Sequence, residues 1–257
     1  METVLIALVA LIASLLTFFS GFGLGTILLP VFCIVYPVEI AILITALVHF
    51  LNNCFKFLLV YRNIQWDFAF KFSLFAIPAA IFGSFVLNEW MQDEVLLNYS
   101  ILNRTFEITF LKILIGGLML LFVVIETNEK IKSTQINKKY LPVGAVLSGF
   151  FGGLSGHQGA LRSMFLIKTI SSKEKFIATG IAIACCIDLT RIPLYTWFLR
   201  SDNFQTNNLQ LLFVTLSAFV GAYVGNKFLK KIEISLIHKT ITLLLTFIAL
   251  MLIAGII

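Results

Sequence analysis

The sequence predicts an all-α polytopic membrane protein built from two inverted-topology repeats. The first observation behind this prediction is composition. Of 257 residues, 59% are apolar and only 12% are charged, and the mean hydropathy is +0.98. Soluble chains carry about 25% charged residues, so this chain has too few polar groups to cover a globule in water. The composition excludes a soluble enzyme domain, a disulfide scaffold and intrinsic disorder as descriptions of the whole chain.

The second observation is the length of the apolar segments. A helix needs about 20 apolar residues to span the hydrocarbon core. Two regions, 3–36 and 141–170, are longer than one span and contain glycine-rich interruptions at residues 21–25 and 152–159. Because glycine weakens a helix by about 1 kcal/mol relative to alanine, each region is predicted to form a hairpin of half-helices or two short spans. Six further segments have the length of a single span, residues 38–60, 68–87, 109–126, 176–199, 208–226 and 240–257.

The third observation is the charge of the loops, which predicts how the chain crosses the membrane. The charged residues of segment 88–108 are four acidic residues and one arginine, whereas residues 127–140 carry four lysines. The positive-inside rule then places 127–140 in the cytoplasm and 88–108 outside. If each broken region enters and leaves on the same side, most other lysines and arginines also face the cytoplasm. The net charge of +6 is therefore attributed to cytoplasmic loops, and no nucleic-acid partner is expected.

The two halves of the chain share one order of elements. Each has a glycine-rich broken helix or hairpin followed by three spanning helices, and the shift that aligns Gly25 with Gly159 also aligns Thr45 with Thr179. We predict a first repeat at residues 1–126, a cytoplasmic linker at 127–140 and a second repeat at 141–257. An odd number of crossings per half makes the repeats inverted. Inverted repeats with interrupted helices are typical of secondary transporters, and exposed helix N-termini favour anions.

Two motifs carry a resemblance to a known family. Residues 21–30, GFGLGTILLP, followed by Pro37 and Thr45, resemble the first glycine-rich repeat of the TauE/SafE family of sulfite exporters. Residues 148–162, SGFFGGLSGHQGALR, are similar to the second glycine-rich break of that family. This chain has His157-Gln158-Gly159 and Met164 where the family often has another glycine-rich triplet and a proline. The resemblance covers nearly the whole chain. It implies a transporter in the cell membrane that exports sulfite, sulfoacetate or related organosulfonates.

Helix 38–60 carries a polar stripe at helical spacing, which predicts a side facing protein or a water-filled cavity. His49 lies near the middle of this span. It is interpreted either as a proton carrier that couples transport to proton movement or as a neutral partner in a hydrogen bond between helices. Lys56, near the inner end, is expected to reach the interface. The stripe consists of Thr45, His49, Asn52, Asn53 and Lys56.

Two further charged sites lie in the second half. Arg162 follows the second break, where a guanidinium could bind a sulfonate or carboxylate or reach the cytoplasmic interface. Asp188 and Arg191 are spaced i,i+3 and are interpreted as a structural ion pair, with a gate or a proton site as the alternative.

These observations predict an anion site between the two breaks, with a small anion and the lipid bilayer as partners. His49 and Asp188 are the candidates for proton coupling, and no cofactor or metal is expected. Nothing resembles a nucleotide-binding loop, so ATP is not expected to drive transport directly. The predicted substrate-binding residues are Gly23, Gly25, Thr26, Thr45, His49, Asn53, Gly156, His157, Gln158, Gly159, Arg162 and Thr179.

One motif is also compatible with an enzyme. Residues 153–156 resemble the G-x-S-G of rhomboid intramembrane proteases, with Ser155 as nucleophile, and His49 with Asn53 resembles their oxyanion-side pair. A serine nucleophile needs a base within hydrogen-bond reach. His238 is the only histidine in a later span, and no G-x-x-x-G accompanies it. His157 lies only two residues from Ser155. We therefore predict no enzymatic activity, and keep a transporter of a different small organic anion as the other alternative.

Overall fold

The structure confirms the predicted all-α polytopic membrane fold. It is a computed structural model that describes residues 2–20, 23–91, 95–101, 104–128, 138–166, 169–170, 172–199, 207–227 and 235–257. The helices are α1 (Glu2–Ser20), α2 (Leu24–Cys33), α3 (Val38–Val60), α4 (Trp66–Met91), α5 (Phe110–Thr127), α6 (Leu141–Ser155), α7 (Gly159–Leu166), α8 (Lys173–Phe198), α9 (Asn208–Lys227) and α10 (Ser235–Ile253). Short 3₁₀ turns lie at Tyr61–Asn63 and Lys138–Tyr140, and strands β1 (Val95–Ile101) and β2 (Arg104–Thr109) form a hairpin.

Four helices in the described part of the chain are long and apolar enough to cross a membrane. They are α3 with its following turn, α4, α8 and α9. The predicted spans at 109–126 and 240–257 coincide with the shorter apolar helices α5 and α10. The loops at 129–137, 200–206 and 228–234 lie outside the described residues. The sidedness that their charges indicate therefore stays a prediction.

Both broken regions contain two helices, as predicted, but the second interruption is shorter than the glycine run. Gly152 and Gly153 belong to α6, and the break comprises residues 156–158. Gly156 ends α6 with φ of 83°, a left-handed conformation that glycine adopts without steric cost. In the first region, Gly23 precedes α2 and Gly25 lies inside that helix. Residues 21 and 22 lie outside the described part.

Helices of the two halves pack in matched pairs. α1 packs along α9, and the matching pair is α6 along α4. α3 contacts α9, and the matching pair is α8 with α4. The pairs α3–α8 and α5–α10 join each helix to its own counterpart in the other half. Each contact has a counterpart when α1–α5 are matched with α6–α10, which is the pattern expected of a two-fold repeat. The inverted orientation of the halves and their boundaries at residues 126 and 141 remain predictions.

Glycines allow the closest of these helix contacts. Gly149 and Gly153 of α6 lie against the carbonyl groups of Ala76 and Ala80 of α4, and a side chain at either position would overlap them. Gly221 of α9 lies against the carbonyl of Leu11 in the same way. Lipid provides little hydrophobic force between helices, so association depends on such close van der Waals packing. The glycines that weaken these helices in isolation therefore stabilise the bundle.

We expect Gly149→Ala to destabilise the folded protein by about 1–3 kcal/mol, because its methyl group would push α6 away from α4. The measurement is the thermal midpoint of the detergent-purified protein by size-exclusion chromatography. Gly117→Ala is the matched control, since Gly117 is an exposed helical glycine of α5 with open space around its Cβ position. A Gly149→Ala midpoint equal to that of Gly117→Ala would contradict the packing argument.

The charges of residues 88–108 predict a loop, but the structure contains a hairpin there. The structure continues α4 to Met91 and pairs β1 with β2 in antiparallel register. The missed signal was the alternation of apolar and polar residues from Leu97 to Ile101, which is the period of a strand with one apolar face.

Candidate functional site

The two breaks meet at the polar stripe of α3. All ten residues of α2 are buried, and the start of this helix lies against α3 and the second break. A methyl group at Gly25 would lie 3.5 Å from Thr45 Cγ2, 3.7 Å from His49 Cδ2 and 3.8 Å from the carbonyl oxygen of Gly156. The backbone of both interruptions and the middle of α3 are therefore neighbours, as the predicted anion site requires.

A cavity opens beside this meeting point, with about 40 Å³ of space accessible to the centre of a water molecule. That is room for a few water molecules or one small ion. Two of its lining side chains, Lys56 and Arg162, are cationic, and none of the described residues that line it is Asp or Glu. The lining residues are Thr17, Phe18, Gly23, Leu24, His49, Asn53, Lys56, Arg162, Ser163, Leu166, Phe176, Ile177, Gly180 and Ile181.

The two cations of the cavity are deeply buried. Lys56 is only 4% exposed and Arg162 only 8%. Arg162 Nη1 donates a hydrogen bond to Gln158 Oε1 at 3.1 Å. The Lys56 ammonium lies 5.5 Å from the centre of the Phe18 ring. The expectation that Lys56 reaches the interface is wrong, because the end of α1 covers it and a cation–π contact holds it inside.

A charged cluster lies behind the cavity, centred on Asp188. His49 Nδ1 lies 2.6 Å from Asp188 Oδ2. Arg191 Nε donates to Asp188 Oδ1 at 2.9 Å, and Arg191 Nη2 lies 2.9 Å from the same oxygen. Gln158 Nε2 donates to that oxygen at 3.0 Å. Pairing and hydrogen bonding on both carboxylate oxygens offset the cost of burying this charge.

Gln158 connects the cluster to the cavity. Its amide nitrogen donates to Asp188 while its amide oxygen accepts from Arg162. This orientation satisfies both neighbours, because a carboxylate only accepts and a guanidinium only donates. The hydroxyl of Ser148 holds the Gln158 backbone by donating to its carbonyl at 3.0 Å. Sequence reasoning proposed Gln158 as a direct ligand, but its side chain bridges two charged residues and does not line the cavity.

The second break also fits around Arg191. Gly156 lies directly against this guanidinium, and a methyl group there would lie 2.6 Å from Arg191 Nη1. The hydroxyl of Tyr195 donates to the carbonyl of Gly153 just before the break. The left-handed conformation of Gly156 therefore brings the second break into contact with Arg191 and Tyr195 of α8. No sequence signal linked Tyr195 to the break.

Several other predicted residues lie in or beside the cavity. Gly23 and Asn53 line it, and the Asn53 amide nitrogen lies 3.2 Å from His49 Nε2. Thr26 follows in the first turn of α2, where its N–H donates to the Gly23 carbonyl at 3.1 Å. Gly159 begins α7, one turn before Arg162.

Two of the predicted substrate ligands do not line the cavity. The structure does not bring Thr179 to the cavity, because its hydroxyl accepts a hydrogen bond from the backbone N–H of Gln65 at 3.0 Å. His157 also lies elsewhere, with its ring stacked on Phe122 at 5.2 Å between centroids. Thr45 lies close to the meeting point of the breaks, because its methyl group packs towards Gly25. Its side chain does not line the cavity.

Ser155 and His157 are closer than their sequence spacing suggested. His157 Nδ1 lies 3.0 Å from Ser155 Oγ, because the left-handed Gly156 turns the chain back on itself. The Ser155 hydroxyl donates to the Phe151 carbonyl at 3.2 Å. Among the described residues, no partner hydrogen-bonds to His157 Nε2, so no described acid orients the imidazole as a catalytic base requires.

Comparison with known proteins places the chain in a transporter family. No curated protein and no solved structure matches it. The family model described as sulfite exporter TauE/SafE matches residues 6–252. This match covers nearly the whole chain, including both breaks, the cavity and the charged cluster, and the chain therefore belongs to the sulfite exporter TauE/SafE family.

Proposed function

We propose that this protein is a secondary transporter that exports sulfite or a similarly small sulfur-containing anion, bound in the cavity between the two breaks. Membership of the family makes the chain a membrane transporter of sulfur anions. The single observation that supports this binding site is the pair of buried cations, Lys56 and Arg162, on one small cavity. Buried cations without acidic neighbours in the cavity wall are costly, and a bound anion would offset that cost.

Backbone groups add to the positive character of the cavity. α2 begins at the cavity, and its N-cap Gly23 offers no side-chain hydrogen bond to the first N–H groups of the helix. Such N–H groups carry a partial positive charge and bind oxyanions directly. Together with the guanidinium of Arg162 and the ammonium of Lys56, they suit a compact anion with several oxygens. The cavity has room for an anion of the size of sulfite.

We infer that transport is coupled to protons through His49. This side chain lines the cavity and also contacts Asp188 of the charged cluster. A proton taken up by His49 would add positive charge to the cavity wall and strengthen anion binding. By linkage, the anion would strengthen proton binding by the same factor. Proton and anion would then cross the membrane together, and export would be driven by the outward gradient of the anion.

We infer that a contact between the halves closes the opposite end of the pathway. The hydroxyl of Tyr36, in the α2–α3 turn, donates to Gln210 Oε1 of α9. The cavity instead adjoins Lys56 and Phe176, near the turns predicted to be cytoplasmic. This arrangement supports a cavity reached from the cytoplasm, with the Tyr36–Gln210 contact as the outer closure of an alternating-access cycle.

Flux of sulfite, thiosulfate, sulfoacetate and taurine into and out of proteoliposomes, with and without a pH gradient, tests the proposed function. We expect flux of sulfite, and an effect of the pH gradient on its rate. This panel also includes larger and zwitterionic compounds, so it distinguishes a transporter of a different organic anion. Absence of flux for every sulfur compound in correctly inserted protein would contradict the proposal.

His49→Gln should separate coupling from binding. The amide preserves hydrogen bonding but cannot carry a proton, so we expect pH-driven flux to be lost while anion counterflow continues. Both are measured in the same proteoliposomes. Equal loss of the two activities would show that His49 is only a structural partner of Asp188.

The contact between Ser155 and His157 supports one alternative function, an intramembrane serine hydrolase. A fluorophosphonate probe traps an activated serine. We expect no labelling of Ser155, since its hydroxyl is bonded to the Phe151 carbonyl. Labelling that disappears in Ser155→Ala would favour the enzyme.

A further inference from the structure

The β1–β2 hairpin has one apolar and one polar face. In its register Leu97 pairs with Ile108 and Tyr99 with Phe106, whereas Asn98 pairs with Glu107 and Ser100 with Thr105. Paired residues lie on the same side of the ribbon, and successive residues alternate between sides. The ribbon is therefore amphipathic over these four pairs, and at its end Ile101, on the side of Leu97 and Tyr99, pairs with Arg104.

Contacts fix this ribbon to one end of the helix pair α5–α10. The hydroxyl of Tyr99 donates to the carbonyl of Ala254 at 2.5 Å, and Lys112 Nζ donates to the carbonyl of Glu107 at 3.0 Å. Gly255, with φ of 71°, lies against Glu107, where a side chain would overlap the backbone. The apolar face consequently has a defined position relative to the membrane helices.

Much of the apolar face has no protein cover in the described structure. Leu97 is 58% exposed and Ile101 is 56% exposed. At the same end of α5 and α10, Ile113, Leu250 and Ile256 are exposed as well. The exposed apolar surface of the hairpin thus continues an apolar surface of two helices that the sequence predicts to span the membrane.

Aromatic residues surround this junction. Tyr99 stacks on Phe106 at 5.3 Å, and Trp90, at the end of α4, packs edge-on against Phe110 at 5.2 Å. Tyrosine and tryptophan are enriched where membrane proteins meet the headgroups, because their rings are apolar and their N–H or O–H groups are polar. Their position indicates that the hairpin lies at the depth of the membrane–water interface.

We propose that the hairpin is an interfacial lipid-binding element, which lies flat at the bilayer surface with its apolar face on the acyl chains and its polar face in water. Leu97 and Ile101 are the inserted side chains, and Asn98 and Glu107 face the solvent. The element sets the depth of the ends of α5 and α10 in the membrane. The proposal is independent of the transported substrate.

Spin labelling in liposomes tests this placement. The four native cysteines are first replaced by alanine, and single cysteines are introduced as Leu97→Cys, Ile101→Cys, Asn98→Cys and Glu107→Cys. The nitroxide is then exposed to oxygen, which concentrates in lipid, and to a nickel chelate, which stays in water. We expect oxygen to be the stronger relaxant at positions 97 and 101 and the nickel chelate at 98 and 107. Positions 98 and 107, on the polar face, are therefore the matched controls for positions 97 and 101.

Two outcomes would overturn the proposal. Labels at positions 97 and 101 that are as accessible to the nickel chelate as those at 98 and 107 would place the hairpin in water. Dipolar broadening at position 97 that disappears on dilution with unlabelled protein would show that a second copy covers the face. Both positions are exposed, so the substitutions should preserve the fold.

Discussion

Arg162→Ala is expected to weaken apparent anion affinity roughly ten- to hundredfold while the protein still inserts and folds. The guanidinium is the only charged group that α7 contributes to the cavity. A hydrogen bond to a charged group contributes about 1.5–3 kcal/mol, and each 1.4 kcal/mol corresponds to about tenfold in affinity. The measurement is the concentration dependence of sulfite flux in proteoliposomes, normalised to the amount of inserted protein.

Two further variants sharpen this prediction. Arg162→Lys should restore affinity only in part, because lysine keeps the charge but lacks the planar pair of donors. Arg62→Ala is the matched control, since Arg62 is an exposed arginine in the turn after α3, and its transport should equal that of the wild type. Unchanged kinetics in well-expressed Arg162→Ala would show that Arg162 does not bind the anion.

The broad architecture could be predicted from the sequence because membrane folds obey strong one-dimensional constraints. Apolar length located the spans, and clustered glycines located the two interruptions. Local propensity did not predict where each break begins, since Gly152 and Gly153 remain helical. The lack of a side chain lets Gly153 approach Ala80 of α4 and lets Gly152 approach Ile187 of α8, and this tertiary packing outweighs the intrinsic weakness of glycine in a helix.

The candidate site could be predicted only as far as single elements allow. Helical spacing placed His49, Asn53 and Lys56 on one side of α3, and all three line the cavity. Spacing did not predict that Lys56 is covered by α1, which is far away in sequence. The bridging role of Gln158 and the hydrogen bond from Gln65 to Thr179 also depend on tertiary contacts. A sequence motif can indicate that polar residues lie near a break, but it does not indicate which residues they contact in the folded protein.

Asp188→Asn is expected to have the largest effect on stability. Asp188 is the only acidic residue at the centre of the described cluster, and it contacts His49, Gln158 and Arg191. The amide keeps the size of the side chain but removes its negative charge. Arg191, which is fully buried, would then lack a counter-charge. Removing one partner of a buried ion pair costs about 3–5 kcal/mol, so we expect a much lower yield and thermal midpoint.

A double variant distinguishes loss of charge balance from general disruption. Asp188→Asn combined with Arg191→Met should be more stable than Asp188→Asn alone, because the second change removes the uncompensated cation. Asp67→Asn is the control for loss of an acidic group, since Asp67 is exposed at the start of α4. A midpoint for Asp188→Asn equal to that of Asp67→Asn would contradict the central role of Asp188. A double variant that folds but lacks pH-driven flux would indicate that the cluster serves coupling as well as stability.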